Sequence, residues 1–199
     1  MNKNFAKTEI GYGGKNTRDG QIRSDEFLNE LRGKRAIRKF REMRDNDATI
    51  GAIMYATEQV LRDVPYSVEP SDQSEQAKRY AEFIQTVLND MDHTLDDHIS
   101  EALSSLSFGF AIFEVVYKRR NQDNKYADGL MGVKKLASRA QWTIERFDVD
   151  RKTGKILGVY QESSYSGSNF IPIEKCLHYR TTNTNNDPSG RSILRNAYT

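Results

Sequence analysis

The chain has 199 residues, of which 37% are hydrophobic, a formal net charge of +2 and a mean hydropathy of −0.76. Its length allows one large domain or two small ones, and its balanced charge argues against a histone-like binder and an acidic solvating protein. The single cysteine, Cys176, excludes an internal disulfide and is typical of a reducing compartment.

Membrane association and export are not expected from this sequence. Its apolar runs all fall short of the roughly 20 residues that a transmembrane helix needs. The first residues, MNKNFAKTEIGYGG, lack the apolar segment of a signal peptide.

Charge is distributed unevenly along the chain. Residues 1–45 carry a net charge of +5, residues 46–107 a net charge of −9, and residues 108–199 a net charge of +6. An acidic middle between basic ends allows identical copies to pack head to tail. Three independently solvated surfaces are the plainer alternative.

Residues 1–23 are rich in Gly, Asn, Lys and Thr and show no periodicity, which predicts an extended or flexible arm. Within it, Gly11–Thr17 only superficially resembles a phosphate loop, because Asn16 follows the lysine where Ser or Thr is required. A helical pattern starts at Ser24, with Gly33 as its predicted break.

The apolar periodicity predicts three further helices. Asp45 or Asp47 is expected to cap the second, whose apolar positions share one face: Ile50, Ile53, Met54, Leu61 and Val64. Pro65 ends it, and residues 66–70 are predicted to form a short strand. The third helix is marked by Tyr80, Phe83, Ile84, Val87, Leu88 and Met91. Asp92 or Thr94 caps the fourth, with Leu95, Ile99, Leu103 and Leu106 turned inward.

Near Gly109 the helical periodicity gives way to strand-forming segments. They are predicted at residues 108–117, 141–149, 156–161, 170–173 and 176–180, with a polar loop at 119–129 and a turn at 148–154. Ser192 is expected to cap a helix that starts near the end. The fold class is therefore α+β: amphipathic helices followed by a largely antiparallel sheet. The predicted domain spans residues 24–199, with a helical part at 24–107, a mainly β part at 108–187 and the start of a helix at 191–199.

Candidate chemical motifs are weak. Asp148, Asp150, Lys152 and Gly154 imitate a calcium loop, but the glycine is one place late and position 12 is Val159. His93 and Asp97 share a helix face without a third ligand, while His98 faces elsewhere, so solvated positions are expected.

Cys176 and His178 share a strand face at roughly 6–7 Å, too far apart for an activated thiol, and core packing is favoured for Cys176. We therefore predict no catalytic, cofactor-binding or metal-binding residue, and no enzyme activity.

One dense basic stretch stands out. It comprises Arg32, Lys34, Arg35, Arg38, Lys39, Arg41 and Arg44. On a helix these side chains would form a cationic stripe able to neutralise phosphates. A solvated or inter-subunit surface is the favoured interpretation, and a small DNA-binding module built on residues 32–44 is the alternative.

Six segments, in their order, carry a resemblance to a known family. They lie at residues 31–33, 40–51, 68–70, 106–114, 171–180 and 188–195, and include Ser-Phe-Gly-Phe at 107–110 and Pro-Ser-Gly-Arg-Ser at 188–192. Together they resemble the portal proteins of tailed bacteriophages, the head–tail connectors, in the branch shared with the Mu-like portals. The resemblance runs from about Leu31 to residue 199.

The resemblance implies a structural protein of the virion, assembled in the host cytoplasm into a homo-oligomeric ring, usually a dodecamer, at one capsid vertex. It implies contact with the major capsid protein, with the terminase and head–tail adaptor, and with double-stranded DNA in the assembled channel. The resemblance also implies that this chain corresponds to the wing, the outer α+β part of the ring. The family continues past the segment at 190–195 into stem helices and a clip, so we expect the chain to be the front part of something longer or one piece of an assembly that continues on another chain.

Overall fold

The computed structural model describes residues 17–18, 21–22, 26–150, 153–163, 167–182 and 187–198. Helices precede most of the strands, which confirms the predicted α+β class. The helices are α1 (Gly33–Asn46), α2 (Ala48–Arg62), α3 (Glu75–Asn89), α4 (Leu95–Ala102) and the short α5 (Ser104–Phe108). Among the described residues, no helix is long and apolar enough to cross a membrane.

Side-chain caps fix where α2 and α4 begin. The Asp47 carboxylate accepts hydrogen bonds from the backbone N–H groups of Thr49 and Ile50 at the start of α2. Thr94 and Asp97 form a reciprocal capping box on α4. Both caps satisfy N–H groups that lack an intrahelical partner, and they confirm the caps predicted at Asp47 and Thr94.

The strands after α5 form two antiparallel sheets rather than one. In the first, β3 (Phe110–Arg119) lies between β4 (Met131–Arg139) and β8 (Cys176–Arg180). In the second, β6 (Ile156–Ser163) lies between β5 (Ile144–Val149) and β7 (Gly167–Pro172). Within the predicted arm, β1 (Thr17–Arg18) pairs with β2 (Gln21–Ile22); residues 1–16, including most of the phosphate-loop imitation, lie outside the described residues.

The main core lies where α1 meets α5 and both sheets. Ile37 and Phe40 of α1 pack with residues of α5, the strands and the last turn: Phe108, Phe110, Ile112, Ile144, Phe147, Val159, Ile171 and Leu194. A smaller cluster of Ala102, Ala111 and Phe113 lies between α4 and β3. The first residues of β3 are thus buried on both faces, since Phe110 and Ile112 face one cluster and Ala111 and Phe113 the other.

Arg120 fastens α3 to the first sheet. Its guanidinium is 1% exposed and pairs with Asp128, donates to the Thr86 hydroxyl on α3 at 3.0 Å, and lies over the Phe83 and Tyr126 rings. A buried cation needs such partners to offset its lost hydration. One arginine therefore joins the helical layer to the β3–β4 hairpin.

Three predicted elements differ in the structure, and one strand was not predicted. The helix expected from Ser24 is replaced, over the described residues, by a 3₁₀ turn at Asn29–Leu31, and Gly33, at φ +54°, begins α1 instead of breaking a helix. Residues 64–70 form no strand. Strand β4 was missed because Gly132, Lys134 and Lys135 interrupt its alternation. The last turn, Ile193–Ala197, is 3₁₀ rather than α-helical.

Candidate assembly surface

Two glycines from distant parts of the chain meet back to back. Gly109, at φ +92°, ends α5, and Gly190, at φ +57°, lies in the turn after Pro188. A Cβ on Gly190 would lie 2.1 Å from the Gly109 carbonyl oxygen, and a Cβ on Gly109 would lie 2.5 Å from the Ser189 carbonyl oxygen. Neither position has room for a side chain. We call residues 107–110 and 187–194 the glycine junction.

Hydrogen bonds complete the glycine junction. The Ser192 hydroxyl donates to the Ser107 carbonyl at 2.6 Å and accepts from the Leu194 N–H, which confirms the predicted cap. Thr181 donates its N–H to the Gly109 carbonyl at 3.0 Å and its hydroxyl to the Arg191 carbonyl at 2.5 Å. Packing at the glycine junction therefore explains two of the segments that carried the resemblance, at 107–110 and 188–192, and neither needs a chemical role.

Cys176 and His178 do not form a nucleophilic pair. Burial raises the pKa of the Cys176 thiol to about 11, and its sulfur contacts the Pro172 carbonyl at 3.4 Å. The His178 Nε2 lies 2.7 Å from the Pro188 carbonyl, so that nitrogen carries the proton and cannot accept one. A thiol with a raised pKa and no basic partner is a poor nucleophile. Cys176 packs against the core as predicted, and is itself only partly buried.

His98 corrects one prediction. It was expected on the solvated side of α4, but it is 3% exposed. Its ring packs edge-on against Phe113 at 4.4 Å between centroids, and its Nε2 lies 2.9 Å from the Tyr179 hydroxyl. Burial is the main cause that lowers its pKa, followed by the neighbouring His93. The sequence pattern placed the inward face of α4 on its leucines, whereas the sheet beneath it meets His98 and Ala102.

The calcium-like loop is a hairpin turn. Asp150 and Lys155 are joined by a backbone bond of 2.8 Å, and the Gly154 N–H donates to the Asp150 carbonyl. The Asp150 carboxylate accepts from the Thr153 N–H at 2.7 Å. Within the described part of the chain, His, Cys, Asp and Glu side chains do not gather in threes around any point where a metal ion could bind.

The basic stretch lies on α1 and just before it, and most of its charge is paired within the chain. Lys34 pairs with Glu162 at 2.5 Å, and Lys39 with Glu42 at 3.0 Å. Arg41 and Arg44 both pair with Asp45. Arg32 donates to the Glu26 carbonyl and to the Asn29 side chain.

Arg35 and Arg38 differ from these five side chains. Both are exposed and, among the residues that the structure describes, neither has an ion-pair partner. Nearby, Trp142 is 50% exposed and Arg41 lies over its ring, 5.1 Å from the centroid. We call Arg35, Arg38, Arg41 and Trp142 the α1 cation face. It joins unpaired positive charge to an exposed aromatic ring.

Helix α2 is apolar on two sides but covered on one. Met54, 2% exposed, packs with Ile50 into the core. On the adjoining face, Ile53, Val60 and Val64 are 59–69% exposed. Their spacing of seven and four residues keeps them on one face of the helix and its continuation, and we call these three residues the α2 stripe. The sequence predicts Ile53, Leu61 and Val64 on the buried side, but all three are exposed in the structure.

Further apolar and acidic side chains flank this stripe. Tyr66 in the link to α3 and Tyr80 on α3 are more than half exposed. Asp63, Glu69 and Asp72, all exposed, lie in the same stretch of chain, where Arg62 is the one base between residues 60 and 72. We call residues 60–72 the acidic corner. Clusters of exposed apolar residues on one helix face are typical of interaction surfaces.

Comparison with known proteins identifies the family. A search of curated proteins found no match. The family model for the portal protein of Mu bacteriophage matches residues 37–199, which includes α1 from Ile37 onward, the α2 stripe, the acidic corner and the glycine junction. The chain belongs to the family of Mu-like bacteriophage portal proteins.

Proposed function

We propose that this chain is a structural subunit of a portal ring at the capsid vertex of a virion, without catalytic activity of its own. The ring, twelve copies by analogy with the family, would pass double-stranded DNA during packaging and ejection. It would contact the major capsid protein, the terminase and the head–tail adaptor. The uncovered apolar side of α2 is the observation that carries the assembly part of this proposal.

The area argument supports assembly over isolated function. Fully burying an exposed apolar side chain contributes at most roughly 1.5–3 kcal/mol, and Ile53, Val60 and Val64 are 59–69% exposed; a ring subunit contacts a neighbour on each of two sides. The ion pairs of α1 also favour assembly over DNA binding. Lysines and arginines that are paired with Glu162, Glu42 and Asp45 are less available to phosphates.

The mass of the purified chain in solution, measured by light scattering, tests the proposal. We expect a large closed assembly at low ionic strength that weakens at ~1 M salt, where the Debye length falls to about 3 Å. A monomer at every concentration and salt would contradict ring formation by this chain. A monomer that binds duplex DNA, with binding lost on Arg35→Ala and Arg38→Ala, would favour the small DNA-binding module instead.

A further inference from the structure

We propose that the contact between neighbouring copies joins the acidic corner of one chain to the α1 cation face of the next, with Asp63 and Glu69 opposite Arg35 and Arg38. This inference rests on the proposed function and specifies its partner: a second copy of the chain, bound through two different surfaces.

Charge without an ion-pair partner on both surfaces is the first observation that supports this pairing. Arg35 and Arg38 have no carboxylate partner within the described chain, although the neighbouring basic residues of α1 all have partners. Asp63 and Glu69 also lack a cation partner there; Glu69 accepts one hydrogen bond, from the Ser67 hydroxyl at 3.2 Å. Opposite charges left open on one molecule are complementary when two copies meet.

Apolar surface accompanies the charge on each side. The acidic corner carries Val60, Val64 and Tyr66, and the cation face carries Trp142, all about half exposed or more. Aromatic and arginine side chains are enriched at the centres of protein interfaces. The ion pairs would orient the contact while the apolar side chains supply its affinity.

The pairing allows a closed ring. The two surfaces share no residue, so one copy can use its corner toward one neighbour and its cation face toward another. Such heterologous contacts produce rings when the rotation closes. A two-fold dimer would instead pair both surfaces of one copy with both surfaces of a single partner, and the mass in solution distinguishes the two assemblies.

Charge reversal tests the pairing. Arg35→Glu with Arg38→Glu is expected to weaken association at least about 100-fold, because like charges would then face each other. Asp63→Lys with Glu69→Lys should do the same from the other side. Neither change is expected to harm the fold, since all four side chains are exposed and a lysine after the C-terminus of α2 suits the helix dipole.

Two restorations make the test specific. All four reversals in one chain should return the mass to that of the parent assembly. Mixing the two reversed chains should give assemblies that contain both in equal proportion, because each then offers the sign that the other lacks. As a matched control, Lys134→Glu with Lys135→Glu on β4 also lowers the net charge from +2 to −2 and should leave the assembly unchanged.

The outcomes separate this inference from the proposed function. If the reversed chains assemble like the parent, or if the β4 control also disassembles, the pairing is wrong while ring formation stands. If reversal disassembles the ring but neither restoration recovers it, the pairing is also wrong. If the unmodified chain remains a monomer at every concentration and salt, both proposals fail.

Discussion

The glycine junction and the α2 stripe differ in how completely their atoms are packed within one chain. At the junction, two distant segments approach until no Cβ fits, and the Ser192 hydroxyl and the Gly109 and Pro188 carbonyls have partners within the chain. On α2, Ile53 and Val60 remain 60–69% exposed. The junction is packed within a single copy, whereas the stripe is left exposed there. Substitutions at the first should therefore act on folding, and those at the second on assembly.

The largest effect is expected for Gly190→Ala. The new Cβ would lie 2.1 Å from the Gly109 carbonyl oxygen, in addition to the strain of φ +57°. The free energy of unfolding should fall by roughly 4 kcal/mol or more, measured by urea denaturation. Gly129→Ala is the matched control, since its φ is +72° and nothing lies within 4 Å of its Cβ; about 1–2 kcal/mol is expected there. Equal losses at both sites would show that the close approach is unimportant.

Acid should weaken the junction through His178. Burial is the main cause that lowers its folded pKa to about 4 from an ordinary 6.5, so the neutral ring is the form that the fold favours. Stability from this group is present above about pH 6.5 and is lost as the pH falls toward 4. Between pH 7 and 5 the expected loss is at most about 2 kcal/mol.

Urea unfolding of the parent at pH 7 and 5, beside His178→Gln, measures that loss. Glutamine keeps an N–H for the Pro188 carbonyl and does not titrate. His98→Gln measures how much of the remaining pH dependence comes from His98, because the pKa of that histidine is also lowered. A pH dependence that is the same in His178→Gln as in the parent would refute the assignment.

The smallest effect on folding is expected for Val60→Ser. Its side chain is 69% exposed, so unfolding should change by about 0.5 kcal/mol or less while the assembly weakens. Met54→Ala on the covered side of the same helix should instead cost about 2–5 kcal/mol of stability. Light scattering and denaturation of both variants check this contrast. If Val60→Ser destabilises the isolated chain as much as Met54→Ala, the stripe is part of the core.

Local signals in the sequence determined the α+β class, the starts of α2 and α4 and most of the strands. Asp47 and Thr94 cap helices because their short side chains reach N–H groups two or three residues ahead, which a pattern of neighbours can predict. The hairpin at Asp150–Gly154 follows from the same turn chemistry. The basic residues of α1 were likewise visible as a stretch, and the family resemblance rested on ordered motifs.

Tertiary contacts decided the rest. His98 is buried because β3 and β8 pass beneath α4, and Val60 is exposed because the core covers only the Met54 side of α2. A helical pattern shows which residues share a face but not which of two apolar faces finds a partner. Gly109 and Gly190 are 81 residues apart in the chain, and only the folded backbone brings their carbonyl and Cα atoms into contact.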